Sequence, residues 1–240
     1  MSEIGSITHL FRYPVKSMAG VSIDDAKLGW HGFEGDRRHA FRLTAARNGF
    51  PFLTASRLDE LIRYQPFDPS EAGSILPTHV RTPEGLEVEL SSVELRDALS
   101  ARLGEAVELM RLDHGIFDEA PVSIICGPTI REIEREAGRS LDVRRFRPNV
   151  IVETPGAGPF AEDAWVGKTL ILGDRPDSPA VTVTLRDLRC VMVNIDPDTA
   201  EKDTRVMKTT ARLNGNCAGV YGTVVREGRV RVGEKVYLKE

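Results

Sequence analysis

Three cysteines, Cys126, Cys190 and Cys217, are the clearest candidates for chemistry in this 240-residue chain. Cys126 ends the apolar run Val-Ser-Ile-Ile-Cys, which predicts a buried strand and a structural thiol. Cys190 follows Arg189 at the start of an apolar segment, where a neighbouring cation can favour the thiolate. Cys217 lies in Asn-Gly-Asn-Cys-Ala-Gly, whose small residues let the backbone approach a ligand closely. Local chemistry alone therefore favours Cys217 as the functional thiol, with Cys190 as the alternative.

Basic residues recur beside Pro, Gly or small hydroxyl residues at the ends of predicted strands. They are Lys16 with Ser17 in Tyr-Pro-Val-Lys-Ser, Arg37 in Gly-Asp-Arg-Arg, Arg57 in Leu-Thr-Ala-Ser-Arg, and Arg147 with Asn149 in Phe-Arg-Pro-Asn. A charge-assisted hydrogen bond contributes about 1.5–3 kcal/mol, so several of these bases together could hold a phosphate-bearing, anionic cofactor. Taken singly, each base could equally be a solvated or structurally paired surface residue.

Composition excludes several other classes of protein. Lysine and arginine number 32 against 36 acidic residues, for a net charge of −4, which argues against a dedicated nucleic-acid binder. Three separated cysteines cannot supply the four thiolates of an all-cysteine zinc site or a plant-type iron–sulfur cluster. The sequence has no nucleophile-elbow serine motif and no P-loop. Neither a signal peptide nor an apolar membrane span is apparent, and we expect a cytoplasmic protein.

Apolar alternation between Gly and Pro residues predicts a chain that is mainly β with some α. The predicted strands are residues 7–13, 21–28, 39–43, 86–90, 107–112, 122–126, 150–152, 169–172, 181–185, 191–195, 220–225, 229–232 and 235–238, and the predicted helices are 92–103, 128–137 and 206–213. Gly104 and Gly138 are natural helix ends, and Pro128 suits a first helical turn. Residues 66–77 are predicted to form a loop. We expect two packed, β-barrel-like lobes, covering residues 1–100 and 101–240.

Several of these motifs, in this order, resemble the MOSC family. Tyr-Pro-Val-Lys-Ser, Gly-Asp-Arg and Thr-Ala-Ser-Arg resemble the N-terminal β-barrel domain that accompanies MOSC domains. Phe-Arg-Pro-Asn, Arg-Cys at 189–190, Asp-Pro-Asp-Thr at 196–199 and the final Gly-Arg-Val-Arg-Val-Gly resemble the MOSC domain itself. The same pair of domains forms the mitochondrial amidoxime reducing component and its bacterial relatives, and a MOSC domain ends molybdenum cofactor sulfurase. Met18, the pair Val193–Asn194 and Ala200 depart from the family pattern.

The resemblance implies a molybdenum–pterin cofactor held by Lys16, Ser17, Arg37 and Arg147, with Arg57 and Asn149 as further binding residues. It also implies that a single cysteine binds the metal. The family position of that cysteine corresponds to Cys190, which becomes the candidate metal ligand and catalytic residue, with Cys217 as the runner-up. A soft thiolate suits a transition metal. Pyridoxal phosphate binding is associated with the family as a whole, and we assign no residue of this chain to it.

Two functions follow from this resemblance. The first is an oxidoreductase that reduces N-hydroxylated or other N-oxygenated small molecules. Three cysteines cannot form an internal iron–sulfur cluster, so we expect a separate ferredoxin-like or cytochrome-like electron donor. The second is a module that carries persulfide sulfur, or the cofactor itself, for delivery to another enzyme. A persulfide carrier has no need of a set of bases for an anionic cofactor, so the first function is favoured.

Overall fold

The computed structural model describes residues 1–45, 49–70 and 74–239. Within these residues the strands are β1 (Ser2–Arg12), β2 (Val21–Ile23), β3 (Asp25–Gly29), β4 (Gly32–Phe33), β5 (His39–Leu43), β6 (Gln65–Phe67), β7 (His79–Arg81), β8 (Glu87–Glu89), β9 (Val107–Arg111), β10 (Val122–Cys126), β11 (Val150–Glu153), β12 (Thr169–Leu172), β13 (Ala180–Leu188), β14 (Cys217–Arg226), β15 (Gly228–Arg231) and β16 (Lys235–Lys239). The helices are α1 (Val93–Leu103), α2 (Gly127–Ala137) and α3 (Arg205–Asn214). This confirms the prediction of a mainly β chain with some α.

A closed barrel dominates the molecule. Its strands run in the order β11-β10-β14-β13-β12-β16-β1, and pairing of β1 with β11 closes the ring. Both faces of β10 are buried, one inside the barrel and the other under α2. In β1 the adjacent residues Leu10 and Phe11 belong to the inner core and to the outer core respectively. Strand β1 therefore ties the N-terminal segment into a barrel built mostly by the second half of the chain.

A second core lies beside the barrel. It is formed by the two-stranded sheet β5–β9, the three-stranded sheet β6–β7–β8 and helix α1. The side chain of Ser92 accepts a hydrogen bond from Leu95 N at 3.2 Å and so caps the start of α1, and Gly104 ends it at φ 78°. Because β9 pairs with β5, residues 107–111 belong to this sheet. The domain boundary expected after residue 100 stays a prediction.

Three predicted elements differ in the structure. Residues 21–28 form β2 and β3, which pair with different strands, rather than one strand. The predicted 66–77 loop begins inside β6, and its residues 71–73 lie outside the described part of the chain. The predicted strand 191–195 is wrong: Val191–Asn194 is a single 3-10 turn. No helix in the described ranges has both the length and the apolar character needed to cross a membrane.

Side-chain capture of backbone groups explains why Val191–Asn194 is not a strand. The guanidinium of Arg145 donates to the carbonyl of Asn194 at 2.9 Å, and the Asn194 side chain accepts from Met207 N at 2.9 Å. Val193 N and Ile195 N bond within the turn, to Cys190 and Met192. Backbone groups that a sheet ladder would use are therefore bonded within the turn and to Arg145 and Asp203, which the apolar pattern alone cannot reveal.

Candidate functional site

Three of the predicted cofactor-binding residues are cations that lie close together beyond the end of β1. We call these residues, Lys16, Arg37 and Arg147, the cation cluster. Two of its members contact the buried ring of Tyr13. The guanidinium carbon of Arg147 lies 4.2 Å from the centre of that ring, and that of Arg37 lies 4.9 Å from it. The Tyr-Pro-Val-Lys, Gly-Asp-Arg and Phe-Arg-Pro-Asn motifs thus converge although they are far apart in sequence.

The backbone at this site is strained. Ser17, Arg37 and Arg147 adopt the left-handed conformation, with φ values of 64°, 45° and 47°. Residues other than glycine pay about 1–3 kcal/mol in such regions, and these conformations cluster at active and ligand-binding sites. Arg37 N donates to Tyr13 O at 2.7 Å, which helps to hold the conformation in place. Three of the residues selected from sequence as cofactor ligands therefore share one conformational feature of functional sites.

Arg37 is a charge-compensated cation. It forms ion pairs with Asp36 at 2.5 Å and with Asp118 at 2.7 Å, and it donates to Asn149 Oδ1 at 3.2 Å. Burial alone would lower the pKa of Arg37, but the two carboxylates more than offset this and raise its pKa above the ordinary value. Asp36 is itself fully buried and accepts from Tyr13 N at 2.7 Å. Arg37 therefore holds the site together as much as it supplies charge to it.

Arg147 differs from Arg37 in its hydrogen bonds and in the direction of its pKa shift. One of its terminal nitrogens donates to Met18 O at 2.8 Å, whereas the other, Nη2, is buried with no hydrogen-bond partner among the residues that the structure describes. Burial lowers the pKa of Arg147 to about 10, and the nearby Arg37 charge adds to the effect. A buried, unsatisfied donor on a guanidinium is costly unless a ligand accepts from it. This is the feature expected of a group awaiting an anion.

Lys16 connects the cation cluster to the loop that carries Phe117 and Asp118. Its ammonium donates to Phe117 O at 2.7 Å. Burial lowers the pKa of Lys16; Asp118 opposes this shift, and the charges of Arg37 and Arg147 reinforce it. A negative charge on Cys190 would also raise the Lys16 pKa.

The two candidate thiols have contrasting surroundings. Cys190 is exposed and directly precedes the 3-10 turn, where Met192 lies 3.7 Å (Sδ) from the hydroxyl of Ser17. Cys217 is buried at the start of β14, and burial raises the pKa of its thiol. Among the two, only Cys190 combines exposure with proximity to the cation cluster. The structure thus favours the thiol chosen from the family resemblance, and its role as metal ligand stays a prediction.

The remaining candidates occupy quite different positions. Asn149 is fully buried; its amide accepts from Arg37 and from Ser123 N, and donates to Phe11 O at 3.3 Å. It orients Arg37 within the protein. Arg57 is an exposed residue whose side chain pairs with Glu105 near the end of α1. Its contacts do not join it to the cation cluster, and cofactor binding by Arg57 and Asn149 stays a prediction.

Two aspartates of the site, Asp118 and Asp187, were not predicted from the sequence. Asp118 pairs with Arg37 and lies near the hydroxyl of Tyr221, at 3.4 Å. Burial opposes its ionisation, but Arg37 and Lys16 outweigh this and hold the Asp118 pKa below its usual value. Asp187 pairs with Arg189 at 2.9 Å and accepts from Ser123 at 2.9 Å, and burial raises its pKa to about 6. Neither aspartate lies in a recognisable motif, so the sequence carried no signal for them.

Known families match this chain along most of its length. The MOSC domain model matches residues 111–237, and the model of the MOSC N-terminal beta barrel domain matches residues 4–98. The mouse (Mus musculus) mitochondrial amidoxime-reducing component 1 is 22% identical, with 99% of this chain and 83% of the relative covered. The bovine (Bos taurus) mitochondrial amidoxime reducing component 2 is 24% identical, covering 99% of this chain and 84% of that protein.

Two further matches extend the comparison. The molybdenum cofactor sulfurase of Caenorhabditis elegans is 23% identical over 95% of this chain, which spans 34% of that protein. The crystal structure of the YUAD protein from Bacillus subtilis superposes with a TM-score of 0.53 at 14% identity, covering 99% of this chain and 97% of the other, and so shares its fold. Because the MOSC model alone spans more than half of its residues, this chain belongs to the MOSC domain family.

Proposed function

We propose that this protein binds a molybdenum–pterin cofactor at the cation cluster and uses it to reduce N-oxygenated small molecules. The observation that carries the proposal is the buried Nη2 of Arg147, which has no hydrogen-bond partner among the described residues. It lies beside a second cation, Arg37, on the same tyrosine ring. A buried donor of this kind is satisfied by an anion such as the phosphate of a pterin cofactor.

The available residues fit such a cofactor. Arg147 and Lys16 would supply positive charge and hydrogen-bond donors to its anionic groups, and Ser17 a hydroxyl. Arg37, neutralised by Asp36 and Asp118, would hold the position of Arg147 through its bond to the carbonyl of that residue at 2.9 Å. Cys190 would supply the one protein thiolate, and its exposure leaves it open to substrate.

Similar proteins support a redox assignment. The relatives that align over nearly the whole chain are named amidoxime reducing components. When bound, the molybdenum cofactor supplies two-electron chemistry that removes oxygen from nitrogen. For an amidoxime the balance is one substrate, two electrons and two protons giving one amidine and one water. We propose that a separate ferredoxin-like or cytochrome-like protein delivers the two electrons.

Molybdenum and pterin content per chain tests the proposal most directly. The protein would be purified from a host that makes the cofactor, as wild type, Cys190→Ser and Cys217→Ser. We expect close to one molybdenum per wild-type chain, retention in Cys217→Ser and loss in Cys190→Ser. Loss only in Cys217→Ser would move the ligand to that residue, and wild-type protein without molybdenum would contradict the proposed function.

A carrier of persulfide sulfur is the second candidate, favoured by the exposure of Cys190 and by the similarity to a molybdenum cofactor sulfurase. It predicts one additional sulfur atom on Cys190, visible by mass spectrometry of the intact chain and removed by a thiol reductant. Replacing Arg147 by Met separates the candidates, since it should lower cofactor retention about tenfold or more under the first and leave persulfide loading unchanged under the second.

A further inference from the structure

Three phenylalanines form a continuous aromatic strip next to the cation cluster. The ring centres of Phe50 and Phe52 are 5.4 Å apart, and those of Phe52 and Phe117 are 5.0 Å apart, both in edge-to-face contact. Phe117 is buried and Phe52 is half-buried, whereas Phe50 is 62% exposed. The aromatic strip therefore runs from the protein interior to the surface.

Its inner end is bonded to the proposed cofactor site. Phe117 N donates to Arg37 O at 2.8 Å, and Phe117 O accepts from the Lys16 ammonium at 2.7 Å. Its outer end meets the same lysine, because the Lys16 nitrogen lies 5.3 Å from the centre of the Phe50 ring. One cation thus contacts both ends of the strip. The hydroxyl of the next residue, Ser17, lies 3.7 Å from Met192 Sδ, two residues after Cys190.

Among the described residues, the Phe50 ring contacts Phe52 and the Lys16 ammonium, and neither contact covers it. More than half of the ring is therefore in water beside the cation cluster, where a ligand can contact it. The residues that flank Cys190 along the chain, Leu188 and Val191, are also apolar and are 67% and 54% exposed. Apolar surface is therefore present both beside Lys16 and on the segment that carries Cys190.

We propose that the aromatic strip binds the planar, aromatic part of the substrate, with its N-oxygenated end directed to Lys16 and Cys190. This inference deepens the proposed function and rests on it. Aromatic rings favour edge-to-face or offset contacts with a further ring, and a polar or partly negative N–O group complements the ammonium at the inner end. The substrate class is accordingly an aryl rather than an alkyl N-hydroxylated compound.

Two measurements test this substrate preference, each with an aryl amidoxime and a small alkyl amidoxime as probes. The first is kcat/KM with a reduced viologen dye as electron donor, corrected for molybdenum content. The second is direct binding by saturation-transfer NMR, which needs no turnover. The variants are Phe50→Leu and Phe52→Leu, which keep an apolar side chain but remove the aromatic ring. Trp30→Leu is the control, because it removes an exposed aromatic ring that contacts no member of the strip among the described residues.

We expect Phe50→Leu and Phe52→Leu to reduce the aryl-to-alkyl preference about three- to tenfold, the range that a single aromatic contact contributes. Trp30→Leu should leave the preference unchanged. An unchanged preference in Phe50→Leu, or an equal loss for both probes, would overturn the inference. If the chain holds no molybdenum, the proposed function fails, while the NMR comparison of aryl and alkyl binding still decides the role of the strip.

Discussion

Arg37 and Arg147 are two buried arginines in contact with the same tyrosine ring, yet their electrostatic surroundings are opposite. Arg37 forms ion pairs with two aspartates, and its pKa is raised. Arg147 bonds to a backbone carbonyl, and burial lowers its pKa to about 10. A buried charge that the protein neutralises internally contributes to the fold, whereas one that it leaves without a counter-charge is available to a ligand. Two residues of one type, equally suggested by sequence, thereby divide into a supporting and a binding role.

Removing the neutralised arginine should have the largest effect. Arg37→Met leaves Asp36 and Asp118 without their cation, and breaking a buried pair in this way costs about 3–5 kcal/mol. We expect the free energy of unfolding to fall by that amount in a urea titration of the cofactor-free protein. Arg42→Met is the matched control, because the pair of Arg42 with Glu108 is exposed and should contribute less than about 1 kcal/mol. Equal effects of the two substitutions would contradict the comparison.

His39 is a second buried basic group that forms no ion pair with a described residue, and a lowered pKa keeps it neutral near pH 7. Burial lowers its pKa to about 4, and the Arg111 and Arg38 charges act in the same direction. The unfolded chain takes up the proton near pH 6.5, so folding stability should decrease as the pH falls from about 7 to about 4, by about 2–3 kcal/mol. His39→Gln should flatten this part of the stability curve. A profile that is the same in both proteins would disprove the assignment.

Arg147→Met should have little effect on the stability of the fold, unlike Arg37→Met, and a large effect on cofactor binding. It removes a buried charge that forms no ion pair with a described residue, and this relief offsets the loss of the bond to Met18 O. The stability of the cofactor-free chain should therefore change by less than about 1 kcal/mol. Cofactor retention should drop about tenfold or more, since a charge-assisted hydrogen bond contributes about 1.5–3 kcal/mol. Cofactor retention is measured as pterin content after gel filtration, and stability is measured by urea titration of the same preparations. Strong destabilisation with full pterin content would assign Arg147 to the fold instead.

The smallest effect is expected for Arg57→Ala. Its pair with Glu105 is exposed and screened by solvent, so loss of the pair should cost less than about 1 kcal/mol. We expect the loss of pterin content to be smaller than in Arg147→Met. A loss as large as that of Arg147→Met would place Arg57 among the main cofactor ligands.

Local signals in the sequence were reliable where a single residue type decides the outcome. Ser92, Pro128, Gly104 and Gly138 marked helix ends that the structure reproduces within one or two residues. The prediction for residues 191–195 was wrong because the groups that bond the Asn194 carbonyl, the Arg145 side chain and Asp203 N, belong to other segments. Ala200 stands where the family favours glycine, and it adopts a φ of 63° that only glycine adopts freely.

The sequence by itself determined the mainly β class, the family and the set of basic residues that could bind an anion. These depend on residue type, order and spacing, which are local properties of the chain. Only the tertiary structure decided which arginine is neutralised, because Asp118 reaches Arg37 from 81 positions away. It likewise decided that Cys190 is exposed and Cys217 buried, against the local chemistry that favoured Cys217. Burial and counter-charge are properties of the packed molecule, and they alone distinguish a ligand-binding cation from a structural one.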